Sequence, residues 1–517
     1  MKINIVNLKM PLNFTLDEVR GRVKSLIKCS GFFSVRLLKK SLDARKKDIH
    51  YNLTVAVEFG EGARYDKRMV ETKEVEYFAP PKTKVNKKIA VIGAGPCGLF
   101  SALALAESGL TPVVFERGES IDDRTNTVNK FFKNAVFDES SNVQFGEGGA
   151  GAFSDGKLTT GTKNIRQNYV LNKLVDAGAP ECILYDAHPH VGTDKLKIAV
   201  KGIRERIISL GGVFHFGTKV DEFIVKGGKI VALGYIKDGE RHLDNFDEVV
   251  LAIGHSARDT YEILSKQTVF EKKPFSVGVR VEHLRESVNI SQFGRDIGIS
   301  AEYKLSHKAR NGRGVYTFCM CPGGVVVPSS SEKDTVVTNG MSYFSRDEIN
   351  SNSAILVSVS PDDFGDGVLA GVEYQRRLER LAFSLSGDYR APCQRVADFI
   401  ANKPTTSFGS VTPSYAIGVV GANLKNILPS YISEGIEEGI KAFSERADFF
   451  SDGDAVLTGV ETRSSAPVRI LRGEDYQAVS IKGLYPAGEG AGYAGGIISA
   501  SVDGVTIAEK IVEKLNG

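Results

Sequence analysis

The stretch KIAVIGAGPCGLFSALALAESGLTPVVFER, Lys88–Arg117, decides the fold of this 517-residue chain. A short apolar run leads into three glycines, Gly93, Gly95 and Gly98, with the spacing GxGxxG. An Ala- and Leu-rich helix follows, and then a second apolar run that ends at Glu116. This order of strand, glycine turn, helix, strand and acidic residue is typical of a βαβ unit that binds a dinucleotide.

Each motif residue has a physical role in such a unit. Gly93 allows the tight turn, Gly95 lets the backbone approach a pyrophosphate, and Gly98 allows close packing of helix and strand. The helix beginning at Pro96 offers unpaired N–H groups and a positive dipole end to phosphates. Glu116 is placed to accept a hydrogen bond from a ribose hydroxyl. The alternative is a glycine-rich turn in an ordinary α/β unit.

Composition narrows the class of protein. The length and the 42% hydrophobic content allow two or three domains with substantial cores. The net charge of +3 does not point to a nucleic-acid partner for the chain as a whole. Six cysteines without regular spacing predict a reducing cytoplasm, and no His/Cys/Asp cluster has metal-ligand spacing. We find no apolar signal segment and no run of 18 apolar residues, so we expect no membrane association.

The chain divides by its patterns into five parts. Residues 1–80 are predicted to form a small basic α+β module, and residues 81–88 a Pro-led linker. Residues 89–275 form the first part of the dinucleotide domain. Residues 276–455 mix short β runs with helical patterns, which indicates a separate α+β cap or substrate domain. Residues 456–517 return to the dinucleotide-domain style.

The N-terminal module is predicted to contain three strands and one helix, which Thr15 caps. The predicted elements are Ile3–Leu8, the helix Leu16–Cys29, Phe32–Leu38 and Ile49–Phe59. A basic run lies between the last two strands: Lys39, Lys40, Arg45, Lys46 and Lys47. This run is either a solvated hairpin edge kept from pairing by its charge, or a docking patch for RNA or an acidic partner.

Three further glycine-rich sites follow. The loop Phe145–Lys157, which includes Gly148 and Gly149, suits a backbone laid flat against a ligand, with a flexible loop as the alternative. The run Glu248–Ile253 is predicted to close a small antiparallel meander that ends at Gly254. Near the C-terminus the motif elements are Gly488, Glu489, Gly496 and Ile497, the last two opening a helix through Leu515.

These four glycine sites, in this order, resemble flavoproteins of the glutathione-reductase superfamily. More narrowly, the chain resembles bacterial proteins called NAD(FAD)-utilising dehydrogenases, or uncharacterised FAD-dependent proteins. The matching segments are Leu42–Lys47, Gly148–Leu158, Phe318–Gly324 and Thr462–Arg469. The resemblance implies an α/β fold: a Rossmann-type FAD-binding domain with an inserted α+β cap domain and the small N-terminal α+β module.

The resemblance also implies non-covalent FAD. Together with the motifs, it assigns the following residues to FAD: Gly93, Gly95, Pro96, Gly98, Glu116, Arg117, Arg124, Gly148, Gly149, Lys157, Val220, Gly254, Gly488, Glu489, Gly496 and Ile497. Glu489 stands where the superfamily has an aspartate, and its longer side chain can make the same contact. We find no second GxGxxG between a strand and a helix, so NAD(P)H is expected at most as a transient donor.

Four residues are candidates for chemistry. Cys319 and Cys321 could exchange electrons with a flavin, although strand alternation would place both side chains on one face and core packing also explains them. Arg463 could bind a substrate carboxylate or a flavin oxygen, or form a structural ion pair. His190 could act as a general acid or base, or be a structural histidine.

The sequence thus predicts a cytoplasmic FAD-dependent oxidoreductase that acts on an unidentified small molecule by hydride transfer at flavin N5. Two other hypotheses remain open. Gly156–Thr162 is similar to a segment of flavin-dependent tRNA-modifying proteins, which, with the basic module, suggests an RNA-binding flavoprotein. The third hypothesis is a flavin-binding scaffold without turnover.

Overall fold

The computed structural model of the chain describes residues 2–27, 33–45, 47–59, 70–71, 78–161 and 164–517. Four positions used in the sequence analysis, Cys29, Phe32, Lys46 and Thr162, lie outside these residues. The described elements are given below in chain order.

The N-terminal module is an antiparallel sheet with one helix on it. Its elements are β1 (Lys2–Met10), α1 (Leu16–Ile27), β2 (Phe33–Asp43), β3 (His50–Phe59) and β4 (Val70–Glu71), with the strand order β2-β3-β1-β4. The helix buries Val19, Val23 and Ile27. The backbone N–H groups of Thr15 and Glu18 each donate to the other residue's side chain, which forms a capping box. The helix and the strands lie near the predicted positions, but β2 extends to Asp43, so Lys39 and Lys40 belong to the strand and do not follow it.

The basic run of this module is only partly solvated. Lys40, on the edge strand β2, exchanges backbone hydrogen bonds with Tyr185 and Ala187, and its Nζ lies 2.9 Å from a carboxylate oxygen of Asp186. Arg45 pairs with Asp43 instead. The prediction of a solvated edge is therefore wrong at Lys40, because backbone pairing with a distant segment covers the strand there.

The next segment contains a parallel sheet and its helices. Its elements are β5 (Ile89–Ile92), α2 (Pro96–Glu107), β6 (Val113–Phe115), α3 (Ile121–Asn134), α4 (Arg166–Asp176), α5 (Gly192–Ser209), β7 (Val213–His215), β8 (Lys219–Lys226), β9 (Lys229–Lys237), β10 (Glu240–Asn245), β11 (Glu248–Leu251) and α6 (Arg258–Leu264). The predicted βαβ unit is thus confirmed as β5-α2-β6. Strands β8, β9 and β10 form the antiparallel meander.

The remaining elements form the second half of the molecule. They are β12 (Phe270–Lys272), β13 (Phe275–Leu284), α7 (Arg285–Phe293), β14 (Ser306–Lys308), β15 (Gly314–Cys321), β16 (Val325–Pro328), β17 (Thr338–Met341), β18 (Asn350–Val359), α8 (Ala370–Ser386), β19 (Ala391–Arg395), α9 (Val396–Ile400), β20 (Val419–Gly421), α10 (Ser430–Ser444), β21 (Val456–Glu461), β22 (Val468–Ile470), β23 (Leu484–Pro486) and α11 (Ile497–Asn516).

The parallel sheet has the order β23-β11-β5-β6-β7. Strand β11 pairs in parallel with both β5 and β23, and all four of its residues are buried. The prediction that Glu248–Ile253 closes the meander is therefore wrong: a strand buried on both faces belongs inside a parallel sheet. Helices α2 and α11 pack against each other in the core beside this sheet.

The second sheet has seven strands in the order β14-β15-β18-β13-β21-β19-β20. Its central strands β13 and β18 are almost entirely buried, because α10 packs near them and the β16–β17 hairpin also contacts this sheet. Strand β21 pairs with β13 and so belongs to this sheet. The predicted boundary at residue 456 therefore does not coincide with the division between the two sheets, because the first strand of segment 456–517 belongs to the seven-stranded sheet.

Candidate functional site

A cavity of about 730 Å³ lies between the two sheets. The carboxyl ends of β5, β6 and β11 contribute one wall, and residues of β15, β17 and β21 contribute the other. The order of the parallel sheet reverses between β5 and β11, which is where open α/β sheets bind ligands. The volume lies within the range of roughly 300–1,000 Å³ found for small-molecule sites.

The glycine turn after β5 is sterically required. Gly93 has φ +102°, and a Cβ there would overlap the carbonyl oxygen of Ala252. A Cβ on Gly98 would overlap the carbonyl oxygen of Gly93, so a side chain would separate α2 from the strand. Gly149 lies across from Gly95, where an added Cβ would be 3.1 Å from the Cα of Gly95. Two glycine loops therefore meet at the cavity wall.

The carboxylate of Glu116 ties three loops together. It accepts hydrogen bonds from the backbone N–H groups of Ala94 at 2.8 Å, Gly118 at 3.0 Å and Gly146 at 3.0 Å. Glu116 also lines the cavity. Arg117, beside it, stacks on the Phe145 ring and pairs with Asp259 at 3.0 Å. At this end of the cavity, the Glu116 carboxylate and the backbone loops around it therefore hold each other in place.

Arg124 supports the second glycine loop from behind. Its side chain is fully buried and does not line the cavity. The guanidinium donates to five backbone carbonyls, those of Asn142, Val143, Gly146, Glu147 and Gly149. Burial lowers the pKa of Arg124 to about 10, so the group stays charged at neutral pH. Arg124 therefore shapes the loop from behind and does not lie where it could contact a cofactor in the cavity.

Two helix N-termini open into the same cavity. Gly95 and Pro96 line it at the start of α2, and Gly496 and Ile497 line it at the start of α11. Helix N-termini attract anions through free N–H groups and the helix dipole. Glu489 also lines the cavity, and burial raises the pKa of its carboxyl to about 7 against the opposing charge of Lys273.

The structure brings most of the predicted site residues together. Those lining the cavity are Gly93, Gly95, Pro96, Glu116, Arg117, Gly149, Lys157, Val220, Gly254, Cys319, Cys321, Arg463, Glu489, Gly496 and Ile497. Five others lie behind the wall: Gly98, Arg124, Gly148, Gly488 and His190. Gly488 abuts Cys97, and Gly148 abuts Ala152 and Val200.

Of the two histidines that flank Pro189, His188 lines the cavity and His190 does not. His190 hydrogen-bonds the carbonyl oxygen of Phe344 and stacks on its ring, and burial lowers its pKa. His188 lines the cavity, and its Nδ1 lies 3.0 Å from Glu302, a hydrogen bond that raises the pKa of His188. The cavity placement thus gives the candidate acid–base position to the neighbouring histidine.

Lys157, which also lines the cavity, belongs to a network of charged side chains. Its Nζ lies 2.5 Å from Asp155 and also donates to the carbonyl oxygen of Met320. Arg346 pairs with Asp155 at 2.6 Å and with Glu302 at 2.9 Å. Burial opposes ionisation of Glu302, but the hydrogen bond from His188 and the nearby cations lower its pKa to about 2. Lys157 is therefore largely compensated by acids.

The two cysteines of β15 differ in environment. A register shift follows Phe318, and Cys319 has φ +41°, so the regular alternation expected for a strand is broken there. The surface of Cys319 faces the cavity, which lies inside the protein, whereas Cys321 is only 2% exposed. Burial within the protein raises the pKa of Cys319 to about 12 and also raises that of Cys321. Both are protonated thiols at neutral pH, which does not favour thiolate chemistry.

Arg463 forms the ion pair that the sequence analysis left as an alternative. Its guanidinium donates to Glu379 at 2.8 and 3.0 Å, to Ser256 and to Ser331. Arg258 shares the same Glu379 carboxylate. Arg463 still borders the cavity, but its donors are committed to this buried network.

Sequence reasoning missed several cavity residues, among them Glu461, Glu302 and His255. Glu461 directly precedes the Thr462–Arg469 motif, which was the available signal. His255 directly follows Gly254, and burial together with Arg463 and Arg258 lowers its pKa to about 3. His255 is therefore neutral at physiological pH.

The described residues contain no group of three or more His, Cys, Asp or Glu side chains that could hold a metal ion. None of the helices described here is long and apolar enough to cross a membrane.

Comparison with known proteins shows the family of the chain. An uncharacterised protein of Clostridium beijerinckii is 45% identical over 100% of this chain and 99% of that protein. The chain belongs to the same family as that protein. Residues 274–464 match the family described as FAD-dependent protein, C-terminal domain-like, and residues 2–58 match a domain of unknown function, DUF8436. The chain thus contains a segment that matches an FAD-dependent protein domain.

Solved structures show only distant similarity. Flavin-dependent brominase Bmp2 is 11% identical, with a TM-score of 0.38 over 84% of this chain and 80% of that chain. Glycine oxidase from Bacillus cereus is 12% identical, with a TM-score of 0.37 over 83% of this chain and 95% of that chain. At these values the neighbours carry no argument about the chemistry of this chain.

Proposed function

We propose that this protein is an FAD-dependent oxidoreductase with a Rossmann-type FAD-binding domain. The carrying observation is the cavity at the strand-order reversal, into which α2 and α11 both open their N-termini. The match of residues 274–464 to an FAD-dependent protein family supports the same conclusion. Assignment to the glutathione-reductase superfamily remains a prediction from the order of the motifs.

The residues that line the cavity fit a dinucleotide such as FAD. The turn can approach a phosphate closely because Gly95, which lines the cavity, has no side chain, while Cβ atoms on Gly93 and Gly98 would overlap backbone atoms. Glu116 is placed to hold a ribose hydroxyl while it braces the surrounding loops. Glu489 would contact the sugar-like chain of FAD, and the α11 N-terminus would stabilise negative charge on its ring.

The chemistry that FAD supplies when bound is reversible hydride acceptance at N5. The protein's own contribution is to hold the cofactor, exclude water between the two sheets and manage protons. Electrons would enter from a small-molecule substrate or transiently from NAD(P)H, since the sequence carries no second GxGxxG between a strand and a helix. The substrate is a small molecule that reaches the wall formed by β15, β17 and β21.

The test is the visible absorption spectrum of the purified protein, before and after reconstitution with FAD. We expect a two-banded flavin spectrum that bleaches under anaerobic conditions with NADH or NADPH. Bleaching with one of them supports a nicotinamide-linked oxidoreductase. A bound flavin that neither nucleotide reduces contradicts that link, and the absence of bound flavin contradicts the proposed function.

A further inference from the structure

Glu461 is a buried residue whose carboxyl takes no part in the proposed contacts with FAD. It ends strand β21, lines the cavity and is 4% exposed. Its Oε1 accepts one long hydrogen bond of 3.5 Å from Arg280. Its Oε2 lies 3.3 Å from the same nitrogen without hydrogen-bond geometry, and no other partner for it exists among the described residues. A carboxyl held this weakly beside a cavity is free to exchange a proton.

Arg280 positions Glu461 but is held mainly by other groups. Its Nε donates to Asn352 at 3.0 Å, and its Nη2 donates to the carbonyl oxygen of Cys319 at 2.9 Å. The Nδ2 of Asn352 is likewise buried without a hydrogen-bond partner among the described residues. This corner of the cavity wall therefore contains one unsatisfied acceptor and one unsatisfied donor.

The ionisable groups that face Glu461 do not compete with it at neutral pH. Arg280 comes from β13, and Tyr316 and Cys319 come from β15. Burial raises the pKa of Tyr316 and raises that of Cys319 to about 12, so both keep their protons. Burial raises the pKa of Glu461 to about 7 despite the opposing charge of Arg280. Glu461 is therefore the group here whose charge changes near neutrality.

We propose that Glu461 exchanges a proton through Oε2 with the substrate at the wall formed by β15, β17 and β21. This inference rests on the proposed function and specifies its reaction class: two-electron transfer to or from a polarised double bond. In the reducing direction the double bond would gain a proton from Glu461 and a hydride, which is the chemistry that FAD held at the Gly93–Gly98 turn and the α11 N-terminus would supply. The carboxylate left behind regains a proton from solvent, and dehydrogenation runs the same steps in reverse.

The experiment compares Glu461→Gln and Glu461→Asp with two other glutamate variants. Glu489→Gln alters the carboxyl assigned to FAD and is expected to weaken FAD binding. Glu509→Gln is the matched control, because Glu509 pairs with Arg166 and does not line the cavity. Two properties of each protein are measured between pH 5 and 9: the infrared carboxylic-acid band, and the midpoint potential of bound FAD.

We expect the wild type and Glu509→Gln to show a carboxylic-acid band that titrates near pH 7, with a break in the midpoint potential at the same pH. Burial raises the pKa of Glu147 and that of Glu489 to about 7 as well, so these carboxyls contribute to the same band. Glu461→Gln should therefore lose one carboxyl's share of the band and reduce the break, and Glu461→Asp should restore both. A band of full amplitude or an unchanged break in Glu461→Gln overturns the proposal, as does the absence of both features in the wild type. If FAD does not bind, the proposed function fails, and the infrared band of the flavin-free protein still tests Glu461: a band near pH 7 that Glu461→Gln keeps at full amplitude overturns its assignment.

Discussion

The two walls of the cavity use their charged residues in opposite ways. On the parallel-sheet wall, the hydrogen bonds of the Glu116 and Arg124 side chains go to backbone groups, three N–H donors and five carbonyls, all within residues 94–149. On the opposite wall, Arg463 and Arg280 are bound largely by side chains from other strands and helices. The first wall fixes a shape, whereas the second concentrates ionisable groups beside the cavity.

This difference indicates a division of labour. Backbone loops braced by a buried acid and a buried arginine suit the recognition of phosphates and sugars, which many dinucleotides share. The opposite wall contains Glu461, whose carboxyl oxygen Oε2 has no hydrogen-bond partner among the described residues and can accept a proton. We therefore expect changes on the first wall to abolish cofactor binding, and changes on the second to alter reactivity while leaving cofactor binding intact.

Removal of the Arg124 guanidinium is expected to have the largest effect. Arg124→Ala leaves five carbonyls of the second glycine loop without their donor, at a cost of at least about 3 kcal/mol in the free energy of unfolding. FAD binding should be lost with the loop's shape. Chemical denaturation and FAD titration measure both effects. Lys130→Ala, on the exposed side of the same helix, should change stability by less than about 0.5 kcal/mol.

Filling the helix–strand contact is the next test of the first wall. Gly98→Val places a side chain against the carbonyl of Gly93, so we expect a loss of about 1–3 kcal/mol or more in stability and weaker FAD binding. The control is Gly21→Ala in α1, where an added Cβ meets nothing within 4 Å. That change should stabilise the protein by about 0.5–1 kcal/mol. Unchanged FAD affinity in Gly98→Val would contradict the role given to this turn.

The seven-stranded sheet should give the protein acid sensitivity through His283. Burial lowers the pKa of His283 from 6.5 to about 3, and neither ring nitrogen has a hydrogen-bond partner among the described residues. The unfolded chain therefore binds the extra proton between pH 6.5 and 3, and stability falls as pH falls through that window. At pH 5 the loss is about 2 kcal/mol.

His283→Leu should remove this contribution. Denaturant unfolding at pH 7 and pH 5 should show a smaller difference in unfolding free energy for the variant than for the wild type. An equal pH dependence in both proteins would mean that His283 is protonated in the folded state.

The smallest expected effect concerns the N-terminal module. Lys40→Ala removes a half-buried ion pair with Asp186, worth about 0.5–1 kcal/mol, but keeps the backbone hydrogen bonds of that strand. Its neighbour Lys39, which is exposed, serves as the matched control. Limited proteolysis should cleave the linker faster in Lys40→Ala than in Lys39→Ala. Equal rates would show that the pair does not hold the module in place.

The sequence predicts the first wall better than the second because the first wall is local. Gly93, Gly98 and Glu116 fall within one βαβ unit, so their spacing alone indicates their geometry. Glu461 and Arg280 come together only through the pairing of β13 with β21, which lie far apart in the chain. No short motif encodes that pairing.

Three further differences have the same physical origin. His190 and His188 flank one proline, and only tertiary packing decides which of them borders the cavity. The strand Glu248–Leu251 follows a meander in sequence, but its full burial places it in the parallel sheet. Arg124 was assigned to FAD, and only the folded chain shows that its guanidinium is bound by carbonyls of the second glycine loop behind the cavity wall.

The most direct test of the central claim is a crystal structure of the protein after reconstitution with FAD. We predict one FAD per chain in the cavity between the two sheets, with its pyrophosphate at the Gly93–Gly98 turn and its flavin ring near the α11 N-terminus. An empty cavity at saturating FAD, or FAD bound elsewhere on the chain, would contradict the account.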